Sequence, residues 1–182
     1  MNKIIPIYLL ALLVITGCKS DDEEILTTEN YSDLIIGEWS LSEYSSTYTI
    51  NAPELTRIEE GVEFGYTIEF KNLSKEISVS GSFRYSVQET IVQNGNSNTS
   101  NFFGKVHGDS GEGFHVGKWS IVNNNLVTRS YDVDPNEEGA FDLTTDILEL
   151  TTTTLMLTID NSQFSAEGSN QAGTTTLKYV RQ

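Results

Sequence analysis

The sequence predicts an all-β fold, an eight-stranded antiparallel up-and-down barrel, and three observations lead there. Apolar residues recur with a period of two in the middle of the chain, where Val62, Phe64, Tyr66, Ile68 and Phe70 alternate with Glu63, Gly65, Thr67, Glu69 and Lys71. Such alternation gives a strand one apolar face. Turn-forming residues punctuate the alternating runs, as at Asn72, Leu73, Ser74 and Lys75 and again at Asn123, Asn124 and Asn125. Thr, Ser and Tyr are abundant, whereas the Ala-, Leu-, Glu- and Lys-rich stretches typical of helices are scarce.

The first strand covers residues 37–50 and is entered from a short apolar turn at Leu34, Ile35 and Ile36. The second and third are the alternating runs 62–71 and 77–88, a long antiparallel hairpin. In the third, Ile77, Val79, Phe83, Tyr85 and Val87 face one way, and Ser78, Ser80, Ser82, Arg84, Ser86 and Gln88 face the other. Gly81 falls on the apolar face, which predicts a bulge or a sharp bend there. Residues 94–113 are polar and Gly-rich and read as a long loop. Strands at 115–122 and 126–133 flank the Asn turn, whose side chains tolerate positive φ. A strand at 140–150 pairs with one at 155–160 through a Thr-rich turn. The apolar phase of the former slips from Phe141 and Leu143 to Leu148 and Leu150, as a bulge would make it. Residues 174–181 form the last strand. Eight such strands close into a barrel with no exposed edge; a sandwich of seven to nine strands shares the pattern.

Gly37, Glu38 and Trp39 open the first strand, and Arg181 ends the last. This resembles the lipocalins, whose Gly-x-Trp motif stands at that place. The resemblance implies that Arg181 packs on Trp39 across the barrel base, a guanidinium over an indole. Gly117, Lys118, Trp119, Ser120 and Ile121, followed by a turn and Leu126, also resemble the bacterial lipocalin-like (calycin) domains of small secreted lipoproteins. The resemblance covers residues 31–182. It makes Gly37, Trp39 and Arg181 residues of the fold rather than of any chemistry. It also implies a barrel able to hold one small ligand, for which Phe64, Tyr66, Phe70, Phe83 and Tyr85 are the candidate wall. The plainer reading is that these aromatic rings fill the core.

The chain starts with the parts of an export signal, residues 1–17. Lys3 provides the positive charge, and residues 4–15 form an apolar run of about a dozen residues, short of the ~20 that span a bilayer. Ile15, Thr16, Gly17 and Cys18 resemble the lipobox of bacterial lipoproteins, in which the Cys is diacylated after cleavage. Cys18 is the single Cys of the chain, so an acyl anchor accounts for it. Residues 18–30 then form a tether. Its Asp21, Asp22, Glu23 and Glu24 resemble the acidic signal that sends lipoproteins to the outer face of the outer membrane. The expected address is the cell surface, with the periplasmic face as the alternative.

Once Lys3 is removed with the signal, ten basic residues face 26 acidic ones, a net charge of −16. That excess repels phosphate backbones and argues against nucleic acid as a partner. Gly108, Asp109, Ser110 and Gly111 look like the nucleophile motif of trypsin-like proteases, but Glu112 follows where that motif continues with Gly, and His107 and His115 flank the Ser closely. A polar turn is the better reading. Asp132, Asp134 and Asn136 begin like a calcium loop, yet Gly139 comes two positions late and Leu143 stands where the last ligand belongs. An acidic turn over 132–139 is the expectation. Two His without Cys fall short of a zinc site. No metal, no cofactor and no catalysis are expected. The chain is instead expected to bind a small apolar or amphipathic ligand; a surface module that binds a protein or glycan through its loops is the alternative.

Overall fold

The computed structural model describes residues 28–51, 54–129, 142–165 and 170–182. After helix α1 (Thr28–Leu34) come β1 (Gly37–Asn51), β2 (Glu54–Phe70), β3 (Glu76–Gln93), β4 (Asn96–His107), β5 (Gly117–Val122), β6 (Asn125–Arg129), β7 (Asp142–Leu150), β8 (Thr154–Asp160) and β9 (Gln171–Arg181). The signal at 1–17, Cys18, the tether as far as residue 27 and the acidic turn at 132–139 lie outside the described residues. Thr28, Glu29 and Asn30, expected in the tether, belong to α1.

The fold is all-β. Eight strands pair antiparallel in a closed ring, in the order β1, β2, β3, β5, β6, β7, β8, β9 and back to β1. β4 is the correction to the sequence reading: where a loop was expected, Asn96–His107 forms a strand on the flank of β3. It shows no alternation because residues 96–103 are exposed on both faces, so no core selected a pattern. β4 and β5 run along the same edge of β3. β4 pairs with Ser82–Gln93, and β5 pairs with Glu76 and Ile77. The chain between them makes an excursion that includes a short 3-10 turn, Gly108–Ser110.

Local chemistry accounts for the turns. Asn123 and Asn124 take φ values of 50° and 66°, as a tight hairpin between β5 and β6 requires. In β7 the register shifts between Ile147 and Glu149, where the apolar phase slips. Gly81 does not bulge: it pairs with Tyr66 in register. It instead takes φ +70°, and a Cβ there would lie 1.9 Å from the carbonyl oxygen of Gly65. The bulge of this hairpin is in β2, between Gly61 and Glu63.

The lower end of the ring, where β1 begins and β9 ends, is packed solid. Trp39, Phe70, Leu126, Leu155, Leu157 and Tyr179 are essentially inaccessible there, each side chain contributing about 1.5–3 kcal/mol through burial. Phe70 meets Trp119 edge-on at 5.7 Å, and Tyr66 meets Phe83 likewise at 5.5 Å. Ile35, just past α1, closes the base, and its carbonyl accepts a 2.8 Å bond from Trp39 Nε1. Higher up the interior turns polar, and the bulges are the cause. A register shift between Leu41 and Glu43 moves the inward set of β1 from Trp39 and Leu41 to Tyr44 and Ser46. The bulge in β2 moves its inward set from Tyr66, Ile68 and Phe70 to Glu59. One extra residue reverses the alternation.

Candidate functional site

Above the packed half a cavity of about 280 Å³ lies between β1, β2, β3, β9 and the 3-10 helix Asn161–Phe164. Tyr44 forms its floor. The Tyr44 ring lies 5.1 Å from Phe83, 5.4 Å from Tyr85 and 6.0 Å from Phe114, the last stacked. Its hydroxyl donates a hydrogen bond to Glu59 Oε2. Burial, and then the charge of Glu59, push the Tyr44 hydroxyl far above its ordinary range, so it stays protonated and donates.

Glu59 is only 6% exposed. Its other oxygen lies 2.7 Å from Arg57 Nε, an ion-pair contact whose N–H is not aligned for a hydrogen bond. Arg57 stands beside the rings of Tyr48 and Phe102, at 5.9 and 5.4 Å, and 3.8 Å from Glu89. Burial opposes the charge of Arg57, but Glu59 and the neighbouring tyrosines outweigh it and hold the guanidinium charged. Burial also raises the hydroxyls of Tyr48 and Tyr85.

The facing wall is an uncharged polar triad. Ser46 Oγ and Thr175 Oγ1 are 2.8 Å apart, Thr175 Oγ1 donates to Asn161 Oδ1 at 2.8 Å, and Asn161 Nδ2 donates to Ser46 Oγ at 3.4 Å. All three side chains are buried. Register explains the meeting, because Ser46 stands opposite both Glu59 on β2 and Thr175 on β9. Val106, Phe114, Phe164 and the Tyr85 ring complete an apolar side. Tyr85 fits because its neighbours across both strands are glycines, Gly61 and Gly104; a Cβ on Gly104 would lie 2.2 Å from the Tyr85 ring. The cavity thus offers hydroxyl, amide, carboxylate and guanidinium groups on one side and ring faces on the other.

Of the five aromatic residues expected to wall a ligand, only Tyr85 lines this cavity. Tyr66, Phe70 and Phe83 belong to the packed core. Phe64 sits beside the bulge, 40% exposed, with its ring over Gly61. Sequence alternation missed Ser46 because the bulge in β1 puts it on the face that simple parity assigns to solvent, and it missed Arg57 and Glu59 because β2 begins at Glu54, ahead of the expected run 62–71.

Gly37, Trp39 and Arg181 meet at the opposite end. The Arg181 guanidinium lies 4.2 Å from the Trp39 ring centroid and donates to the carbonyls of Ile36, at 2.8 Å, and Leu34. Gly37 has φ +120°, and a Cβ there would lie 2.9 Å from Arg181 Nη1.

Two carboxylates of the protease-like stretch accept backbone N–H groups. Asp109 Oδ1 accepts the Gly81 N–H at 2.7 Å, and Glu112 Oε2 accepts the His107 N–H at 2.8 Å. His115 is buried, with Nε2 2.9 Å from Thr145 Oγ1. Among the described residues no three His, Cys, Asp or Glu side chains gather as metal ligands. Compared with known proteins, the chain matches no family model, and no curated protein is similar to it in sequence.

Proposed function

We propose that this chain is a lipid-anchored, lipocalin-like lipoprotein of the outer membrane, displayed at the cell surface, that binds a small amphipathic molecule in the cavity beside Glu59. The observation that carries the reading is the two-sided lining: Tyr85, Phe114 and Phe164 against Ser46, Arg57, Glu59 and Thr175. Small-molecule sites combine apolar walls with a few placed polar groups in this way. At about 280 Å³ the space suits a compact ligand, and the solid lower half leaves no room for a long chain. The ring of eight strands and the Arg181–Trp39 contact support the lipocalin-like part. The lipobox-like residues ending at Cys18 support the anchor. Binding, not catalysis, is the activity.

Native mass spectrometry of the protein purified from its own host, followed by mild denaturation, tests the reading. A small molecule retained by the folded chain and released on unfolding is expected. Val106→Trp, which fills the cavity, should abolish retention while the circular dichroism spectrum stays that of the natural chain. Repeated apo masses under gentle conditions would defeat the proposal.

A second reading, capture of a protein, has its own observation. Phe103 is 62% exposed on β4 and borders an outer groove with Ile58 and Phe102. Phe103→Ser would abolish such capture without affecting ligand retention.

A further inference from the structure

The turns at the two ends of the ring differ in charge and in apolarity. At the lower end the β2–β3 turn carries Lys71 and Lys75 and no carboxylate, and Leu73 at its tip is fully exposed, at 101%. The β5–β6 turn stands beside it and follows Val122, 49% exposed. The two turns are neighbours because β5 lies along the first of them. Trp119 N donates to Lys75 O at 2.9 Å, Trp119 Nε1 to Lys71 O at 3.2 Å, and Lys118 Nζ to Ser74 O at 2.8 Å. The third turn of this end, Thr151, Thr152 and Thr153, is uncharged. At the upper end the β3–β4 turn, Asn94 and Gly95, carries neither a lysine nor an apolar side chain.

The chain enters at the lower end as well. α1 leads into β1 there, and Ile35 packs against the base of the core. Nine residues, 19–27, separate Thr28 from Cys18, ten Cα–Cα steps with a reach of at most about 36 Å. A lipid-anchored Cys18 therefore keeps this end near the bilayer. In a chain with a formal charge of −15, most of the surface is repelled by anionic headgroups, whereas a lysine-bearing apolar tip is attracted.

We propose that the lower end is a membrane-apposed face, with Leu73 and Val122 dipping into an anionic bilayer surface and Lys71 and Lys75 at the level of the lipid phosphates. An exposed Leu gains by leaving water, and flanking lysines gain from the surface potential. The cavity beside Glu59 then points away from the membrane. This orientation rests on the acyl anchor at Cys18.

Site-specific fluorescence quenching tests it on the acylated protein. Because Cys18 is the only Cys and is blocked by acylation, Leu73→Cys, Val122→Cys and Asn94→Cys each add one free thiol, at exposed positions that leave the core intact. Each is labelled with bimane and placed on vesicles of phosphatidylethanolamine and phosphatidylglycerol carrying brominated acyl chains. The probes at Leu73 and Val122 should lose emission, and the probe at Asn94, at the upper end, should not. Lys71→Glu should reduce quenching of the Val122 probe while the protein still floats with the vesicles. Three probes equally unquenched on floating protein would overturn the orientation alone. Protein that does not float would overturn the anchor and the orientation with it. Quenching indifferent to Lys71→Glu would overturn the role of the lysines.

Discussion

Arg181 holds its guanidinium 4.2 Å from the Trp39 ring centroid while donating to the carbonyls of Leu34 and Ile36. One cation thus ties the last strand to the first and satisfies acceptors where α1 ends. Arg181→Ala should lower stability by about 2–4 kcal/mol, because it removes charged hydrogen bonds and a partly desolvated cation–π interaction at once. Arg181→Lys should recover only part of it, because an ammonium lacks the planar fork. Urea unfolding measures both; a change within error for Arg181→Ala would mean that this cation is ornamental to stability.

Glu59 and Tyr44 should act as one unit. Tyr44→Phe leaves a buried carboxylate oxygen without its donor, at about 1–3 kcal/mol. A double-mutant cycle with Glu59→Gln should return a coupling of about 1–2 kcal/mol. Strictly additive losses would show that the two side chains contribute separately.

His115 makes stability depend on pH. Burial depresses its folded-state pKa to about 4 from the ordinary 6.5. Above pH 6.5 both states are neutral and nothing is lost. As pH falls from 6.5 towards 4, the unfolded chain takes up the proton first and folding weakens. At about 1.4 kcal/mol per pH unit the full loss is about 3 kcal/mol. His115→Gln keeps a polar group near Thr145 and should flatten this part of the profile. Carboxylates titrate nearby, so the difference between the two profiles is the quantity to read; parallel profiles would refute the assignment.

Gly173 takes φ +134°, and a Cβ there would lie 2.0 Å from the carbonyl oxygen of Thr47. The obstacle is backbone, which cannot swing aside. Gly173→Ala should therefore cost about 1–3 kcal/mol and loosen the pairing of Tyr48 beside the cavity. Gly95→Ala makes the comparison, since it strains a positive φ with nothing within 4 Å; equal losses would show that dihedral strain alone is responsible.

The sequence revealed strands wherever one face meets the core and the other meets water. Phe70, Ile68 and Tyr66 on β2, and Phe83 and Ile77 on β3, point inward as their alternation requires. Asn123 and Asn124 marked their turn because a positive φ has few other tenants. β4 went unseen because neither of its faces is buried over residues 96–103. The site went unseen because a bulge has no residue signature of its own in β1 or β2. Beyond the bulge in β1 the parity of the strand assigns Ser46 to solvent while it points inward, and Glu59 lies ahead of the run 62–71 in which the alternation is legible. A buried carboxylate is visible only once three strands are aligned around it.

Closure of the ring between β1 and β9 also fixes when the domain can fold. Trp39 pairs with Arg181 across nearly the whole of the described sequence, so no partial product growing from the ribosome can complete the ring. Such distant pairing forms slowly, and the ring stays open until the last strand has joined the first. The cavity, whose walls come from β1, β2, β3 and β9 together, comes into existence only with the final strand.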